Sequence, residues 1–411
     1  MHPPRTIAII GTLDTKAQEL GFLRSVVEAR GHRALMVDLS VRGEHGGADI
    51  SRQEVAARAG GGVDELIAAG DRGAALDRVS SGAVALVKDL LAQGRIDGAV
   101  AIGGGSGSAV TSAPLRALPF GFPKVLVSTK GAGDVSAFVG TRDIAVLFSV
   151  TDVMGLNPIL RRVLRNAANA VCGMVEGGAD EVRQADGAVV AITAFGVTTP
   201  AAERCRRLLL ESGCQVMVFH ASGTGGRAME ELIEAGEIDA VLDLTTTELA
   251  DELCGGALSA GPARLEAAGR RGIPQVVVPG ALDMVNFGPV ATIPPALRDR
   301  RLHRHNAGTT LMRTTRDENA ELGRIVAGKL AGATGPTELV LPLGGISEYG
   351  RPDGPFHDPE ADRAFFESVS AAYDGPIVRS PDHINDPPFA ELVVARLLTL
   401  MASIRPAAVA G

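Results

Sequence analysis

Short charge-free apolar runs alternate along this chain with longer amphipathic stretches, and glycine-bearing loops separate them. The run at 6–10, TIAII, has no polar face and is too short for a helix, so it reads as a strand buried on both sides. A helical stretch over 17–30 follows and stops at Gly31, a residue suited to the left-handed position after a helix. A second strand at 34–37 ends in Asp38. Ser51 and Glu54 form a capping box for a short helix. A longer helix over 74–92 ends at Gly94 and delivers the chain to a strand at 99–102. The loop GGGSGS follows at once, before small residues that open another helix. Strands at 124–128 and 144–150 and a helix at 158–175 complete the first half.

The same pattern then recurs. A polar segment at 176–187 separates two predicted domains, 1–178 and 188–404, with the linker at 179–187. A strand at 188–195 leads into GVTTP, where Pro200 suits the first position of a helix. The strand at 215–219 ends in His220 where the first half has Asp38. DAVL at 239–242 echoes DGAV at 97–100, and IPQVVV at 273–278 echoes FPKVLV at 122–127. The expected fold class is α/β: two related Rossmann-like, doubly wound domains facing across a cleft. A terminal helix is expected over 387–404 and frayed chain beyond it.

Composition narrows the function classes. The chain has 411 residues, a net charge of −8, 3% aromatics and no Trp. Neither the positive field nor the stacking rings that nucleic-acid binding requires are present. The four cysteines show no CxxC spacing. With no leader or membrane-length apolar run read at the amino end, a cytoplasmic protein is expected, with neither nucleic acid nor membrane as partner and assembled as a homo-oligomer.

The chemistry-bearing residues lie at predicted strand ends. Gly103, Gly104, Gly105, Ser106 and Gly107 join a strand to a helix, the arrangement that directs backbone N–H groups at a phosphate or carboxylate; a tight turn is the plainer reading. The first strand is followed by Gly11, Thr12, Asp14, Thr15 and Lys16, with the ammonium placed to reach a β- or γ-phosphate. Neither loop completes a Walker A or dinucleotide fingerprint. Asp38 is placed for a ribose or is a solvated loop carboxylate. Asp14 either helps to hold magnesium through water or caps the next helix. In the second half, Gly223, Gly225, Gly226 and Arg227 follow His220 and suggest a grip on a small anion. Thr245, Thr246 and Thr247 precede Glu248, which reads as the partner of Thr245 in a capping box. Asp283, Asn286 and His305 add polar groups. His303 and His305 lack a complete metal signature, so no metal is assigned there. The cluster at 383–387, HINDP, is structural or part of the same site.

These motifs carry a resemblance. GTLDTK (11–16), AIGGGSGS (101–108), FGVTTP (195–200), HASGTGGRAMEEL (220–232), LDLTTTE (242–248), GALDMVNFGP (280–289), HRHN (303–306) and HINDP (383–387) resemble the ATP-binding domain of the plant tobamovirus-resistance protein and its bacterial relatives. The resemblance spans nearly the whole chain. It implies two Rossmann-like domains, with ATP and magnesium held by the first, on Gly11, Thr12, Asp14, Thr15 and Lys16 and on the 103–107 loop. The plant members carry a further barrel-like domain that this chain is expected to lack, so their antiviral role is not carried over. The resulting expectation is an ATP–Mg-binding protein, acting on a small anionic carboxylate or sugar acid held in the second domain. A nucleotide-gated binding protein without chemistry is the alternative.

Overall fold

The computed structural model describes residues 3–43, 45–68, 70–177 and 187–404. The expected linker, apart from Gly187, and the frayed end at 405–411 lie outside the described residues. The chain divides into two compact units, Met1–Val182 and Arg183–Gly411.

The first unit is built on β1 (Thr6–Gly11), β2 (Arg33–Asp38), β3 (Gly98–Gly103), β4 (Lys124–Ser128) and β5 (Ala145–Phe148). All pair in parallel, in the order β2-β1-β3-β4-β5. Alternation within each strand feeds both faces. Ile7, Ile9, Val100 and Ile102 pack against the helices Leu13–Ala29 and Pro158–Glu176. Ala8, Ile10, Ala99 and Ala101 face the helices Arg72–Ala92 and Gly105–Ala117. A strand covered on both sides has no polar alternation, which is why these segments are uniformly apolar. The strand order reverses direction between β1 and β3, and both loops singled out in the sequence leave the sheet at that point.

The second unit repeats the plan with β6 (Val189–Ala194), β7 (Gln215–His220), β8 (Ala240–Thr245) and β9 (Gln275–Gly280). The chain then makes an excursion through a small antiparallel sheet, β10 (Met284–Phe287), β11 (Leu302–Arg304) and β12 (Thr310–Arg313), ordered β10-β12-β11. It rejoins the main sheet with β13 (Thr337–Pro342) and β14 (Ile377–Ser380), giving a parallel sheet ordered β14-β13-β9-β8-β6-β7. The β10–β14 strands and the helices Arg316–Ala331 and Pro359–Ala372 go beyond the repeat legible in the sequence. The helix Pro387–Ile404 is long and apolar enough, by length and composition alone, to cross a membrane. Its Phe389, Ala390, Val393, Val394 and Leu397 are buried in the core of the second unit.

Helix crossing sets one glycine. A Cβ at Gly82 would lie 2.0 Å from the carbonyl oxygen of Val55, where the helix Arg52–Ala57 lies on Arg72–Ala92. Helix propensity favours alanine over glycine by about 1 kcal/mol, but a clash with backbone outweighs it. Gly82→Ala is therefore expected to lower stability by about 1–3 kcal/mol. Gly21→Ala, in a helix with nothing within 4 Å of the added carbon, is expected to raise it by about 0.5–1 kcal/mol. Urea denaturation of both variants checks the pair; a Gly82→Ala protein as stable as the parent would refute the packing argument.

Candidate functional site

Loops from three strand ends build the site in the first unit. The Asp38 Oδ1, at the end of β2, accepts from the Leu13 N–H at 3.0 Å and the Ser40 N–H at 2.9 Å, and also from the Ser40 hydroxyl. Ser40 Oγ takes the Asp14 N–H at 2.9 Å, and Asp14 Oδ2 takes the Arg42 N–H at 3.0 Å. The loop after β2 thereby clasps the start of the helix Leu13–Ala29. Asp38 is 2% exposed and its Oδ1 is committed to this clasp, so it is not the solvated loop carboxylate of the plainer reading. Lys16 breaks helical geometry with φ −137° and ψ 25°, and its Nζ donates to the Val153 carbonyl at 2.9 Å. Thr12 Oγ1 and Thr15 Oγ1 are hydrogen-bonded at 2.9 Å.

A cavity of about 180 Å³ lies between these loops and the glycine loop, lined by Thr12, Asp14, Thr15, Lys16 and residues 104–107. Arg42 and Arg72, which sequence reasoning missed, line it too. They sit in a region with no repeat counterpart, so no periodic signal marks them. Lys16, Arg42 and Arg72 set three cations against the single carboxylate of Asp14. The Cε of Lys130 lies 3.9 Å from where a Cβ on Gly105 would stand.

The glycines divide by cause. At Gly11 a Cβ would meet Leu20 at 2.7 Å, and at Gly103 it would meet the Ser108 backbone at 2.4 Å. Those two are required by packing, not by a ligand. Gly104, Gly105 and Gly107 would meet nothing closer than 3.9 Å among the described residues, so no packing contact there demands glycine. Glycine in a first helical turn costs helix stability, and the N-cap Gly104 offers the turn no side-chain acceptor. The result is an open, electropositive helix start beside three cations.

The second unit handles the equivalent problem internally. Glu248 Oε1 accepts from the Gly223 N–H at 2.7 Å and the Gly226 N–H at 3.1 Å, filling the start of the helix Thr224–Ala235. A Cβ on Gly226 would stand 2.2 Å from that carboxylate. The expected anion site at Gly223, Gly225 and Gly226 is thus occupied by the protein's own Glu248. The capping-box reading of Glu248 is corrected as well, since Thr247, not Thr245, caps the helix Glu248–Cys254, without a side-chain bond. Glu248 Oε2 also receives Arg264 Nε at 2.6 Å, and Arg264 Nη2 bonds Asp243 at 2.6 Å. Glu230 completes the buried cluster, its carboxyl pushed up by burial.

The threonine loop is likewise internal. Thr245 Oγ1 bonds Thr198 Oγ1 at 2.7 Å, while Thr246 and Thr247 donate to the carbonyls of Val278 and Met284. Arg227 is exposed. Asp283 is fully buried, bonded to the Ser347 hydroxyl, and pushed up by burial. His383 is structural, its Nε2 bonded to the Ser347 carbonyl at 2.9 Å. Of the second-unit candidates, His220, Asn286 and His305 are brought together. They line a cavity of about 320 Å³ at the carboxyl ends of β6 and β7. Among the described residues no group of three or more His, Cys, Asp or Glu is arranged to hold a metal.

Two parallel α/β units, each with loops gathered where its strand order reverses, make this a Rossmann-like protein. The chain belongs to the uncharacterised protein family UPF0261, whose N-terminal domain profile matches residues 5–180 and whose C-terminal domain profile matches 187–401. It is 43% identical over 401 residues to a UPF0261 protein of Clostridium tetani, covering 97% of this chain and 99% of that one. A UPF0261 protein of Rhizobium meliloti is 42% identical over 396 residues, covering 95% and 98%. The ToMV resistance protein Tm-1(GCR237) of Solanum lycopersicum is 39% identical over 316 residues, 75% of this chain but 42% of the tomato protein. Among solved structures, a C2-type ketoreductase from a modular polyketide synthase matches at 19% identity, with 98% of this chain and 88% of that chain covered. Its TM-score of 0.20 carries no argument, and the fold class rests on the strand orders themselves.

Behind the second cavity, Asp251 accepts from the Asn286 N–H at 3.1 Å, Asn286 Nδ2 at 2.7 Å and the Leu258 N–H at 3.1 Å, and burial pushes its carboxyl up to about 6 from 3.8. The folded carboxyl holds its proton more tightly than the unfolded one. Its contribution to stability is therefore greatest below about pH 4, declines as pH rises to about 6, and is level above. An Asp251→Asn protein lacks that decline, so its stability relative to the parent is expected to rise across this window. Urea midpoints measured at each pH check it; a pH-independent difference would contradict the shift.

Proposed function

We propose that the first unit binds a nucleoside triphosphate with magnesium, and that ATP is the nucleotide. The observation that carries this reading is the uncapped first turn at Gly104, Gly105, Ser106 and Gly107, open to a cavity with three cations at the strand-order reversal. At about 180 Å³ the cavity is below the roughly 300–1,000 Å³ of a whole small-ligand site, which suits the phosphate end with the nucleoside lying over the rim. Lys16 and Arg72 supply charge to the outer phosphates, and the backbone N–H groups of the glycine turn supply direction.

The residues present also fit magnesium. Asp14 Oδ1 is buried without a hydrogen-bond partner, next to the hydroxyls of Thr12 and Thr15. One carboxylate with two hydroxyls is a sparse ligand set, as suits an ion held mainly by phosphate oxygens and water. When bound, magnesium would neutralise charge on the β- and γ-phosphates. The tomato relative's name concerns virus resistance, and with 42% of that protein matched, the role is not extended to this chain.

Calorimetry with Mg–ATP tests the reading. Lys16→Ala is expected to weaken binding by about 1.5–3 kcal/mol, roughly 10- to 150-fold in Kd. Gly105→Val is expected to abolish it while the protein stays folded, since the added side chain enters open space. Asp14→Asn is expected to remove most of the magnesium dependence. Mg–ATP binding of parental strength in the Lys16→Ala protein would overturn the assignment.

A further inference from the structure

The second-unit cavity differs in kind from the first. At about 320 Å³ it falls within the size range of small-molecule sites, and it lies at the carboxyl ends of β6 and β7, beside the strand-order reversal of its own sheet. One wall is aromatic: the rings of Phe195 and His220 stack with centroids 5.3 Å apart and planes 18° from parallel. Another comes from the turn between β11 and β12, which contributes His305, Asn306 and Thr309. That turn is closed by the His305 N–H donating to the Thr309 carbonyl at 3.1 Å, and His305 Nδ1 is held by the Tyr349 hydroxyl at 2.9 Å. The floor includes Leu258 and Asn286, both anchored by Asp251.

The lining holds no Asp, Glu, Lys or Arg. A charged ligand would meet no carboxylate, ammonium or guanidinium among these lining residues to offset the desolvation of its charge. What the wall offers is a mixture of donors and acceptors: Ser222 and Thr309 hydroxyls, the Asn306 amide and two imidazoles. His220 Nδ1 lies 3.2 Å from the Ala194 carbonyl, which only accepts, so in the neutral ring Nδ1 carries the hydrogen and Nε2 is left as an acceptor. Hydroxyl groups, which donate and accept at once, match such a wall. An aromatic slab matches the apolar C–H face of a saturated ring.

We propose that this cavity binds a small uncharged polyhydroxylated ring, a neutral sugar or cyclitol, packed against Phe195 and hydrogen-bonded by His220, Asn306 and Thr309. The site is independent of the nucleotide reading, because it lies wholly within the second unit and uses none of the first unit's residues.

The full-length protein would be titrated, by ligand-observed NMR and calorimetry, with D-glucose, D-galactose and myo-inositol. D-glucuronate and D-glucosamine serve as charged counterparts. At least one neutral compound is expected to bind at least tenfold more tightly than either charged one. Asn306→Ala and Thr309→Val, both at an exposed turn, are each expected to weaken that compound at least fivefold. Urea denaturation of both variants should match the parent, which separates a lost sugar site from a misfolded second unit. Mg–ATP is not needed for either readout, so failure of the nucleotide assignment leaves the test intact. Phe195→Leu is expected to reduce affinity further by removing the aromatic wall. Stronger binding of glucuronate or glucosamine, no binding of any neutral compound at millimolar concentration, or binding indifferent to all three substitutions would overturn the proposal.

Discussion

The first turn of a helix leaves backbone N–H groups that must meet an acceptor, and the two units answer that demand in opposite ways. In the second, Glu248 reaches back to the N–H groups of Gly223 and Gly226 and is itself held by Arg264. In the first, among the described residues no side chain plays that part at Gly105, Ser106 and Gly107, and Lys16, Arg42 and Arg72 line the cavity beside them. Closing the helix start with a carboxylate makes a scaffold; leaving it open beside Lys16 and Arg72 is the feature on which the proposed nucleotide site rests. The two units differ in this one respect at otherwise matching places in their sheets.

The Arg264 cluster shows what the closed arrangement requires. Its guanidinium is enclosed by Asp243, Glu248 and Glu230, and Asp243 in turn takes the Thr193 hydroxyl at 2.8 Å. Burying one cation among three carboxylates is tolerated only when nearly every donor and acceptor is matched, and removing the arginine would strand like charges in a dry interior. Strand ends and helix starts are thereby tied at one point, which fixes the loops around the second-unit cavity. The polar groups that read as reactive in the sequence are largely the ties of this framework.

Much of the frame was legible because buried parallel strands have an unmistakable pattern, as TIAII in β1 and AVAI in β3 show. The two loops of the first site were legible for the same reason: each follows such a strand directly. Arg42 and Arg72 were not: Arg42 sits on a loop whose course depends on tertiary contacts such as Asp14 with the Arg42 N–H, and Arg72 opens a helix that has no counterpart in the repeat. In the second unit the glycine loop at 223–226 looks in sequence like the one at 103–107. The residue that decides its role, Glu248, is more than twenty positions away. Spacing says which groups stand at strand ends, but not which are already partnered. The short β11 and β12 strands, three and four residues long, carry too little periodicity to be read at all.

The excursion between β9 and β13 bears on how the second unit is made. Residues 281–336 intervene before β13 can lie down beside β9, and the helix Pro387–Ile404 must then cover a face whose first strand began at Val189. Contacts so distant along the chain demand closure of long loops before they return any stabilisation, which slows assembly. The first unit, whose sheet is finished by Phe148, carries no such delay. During synthesis it has its strands in hand while the second is still waiting for its last two, and the freshly made β9 edge stays unpaired in the interval. That exposed edge is where a nascent chain of this kind is most open to pairing with the wrong partner.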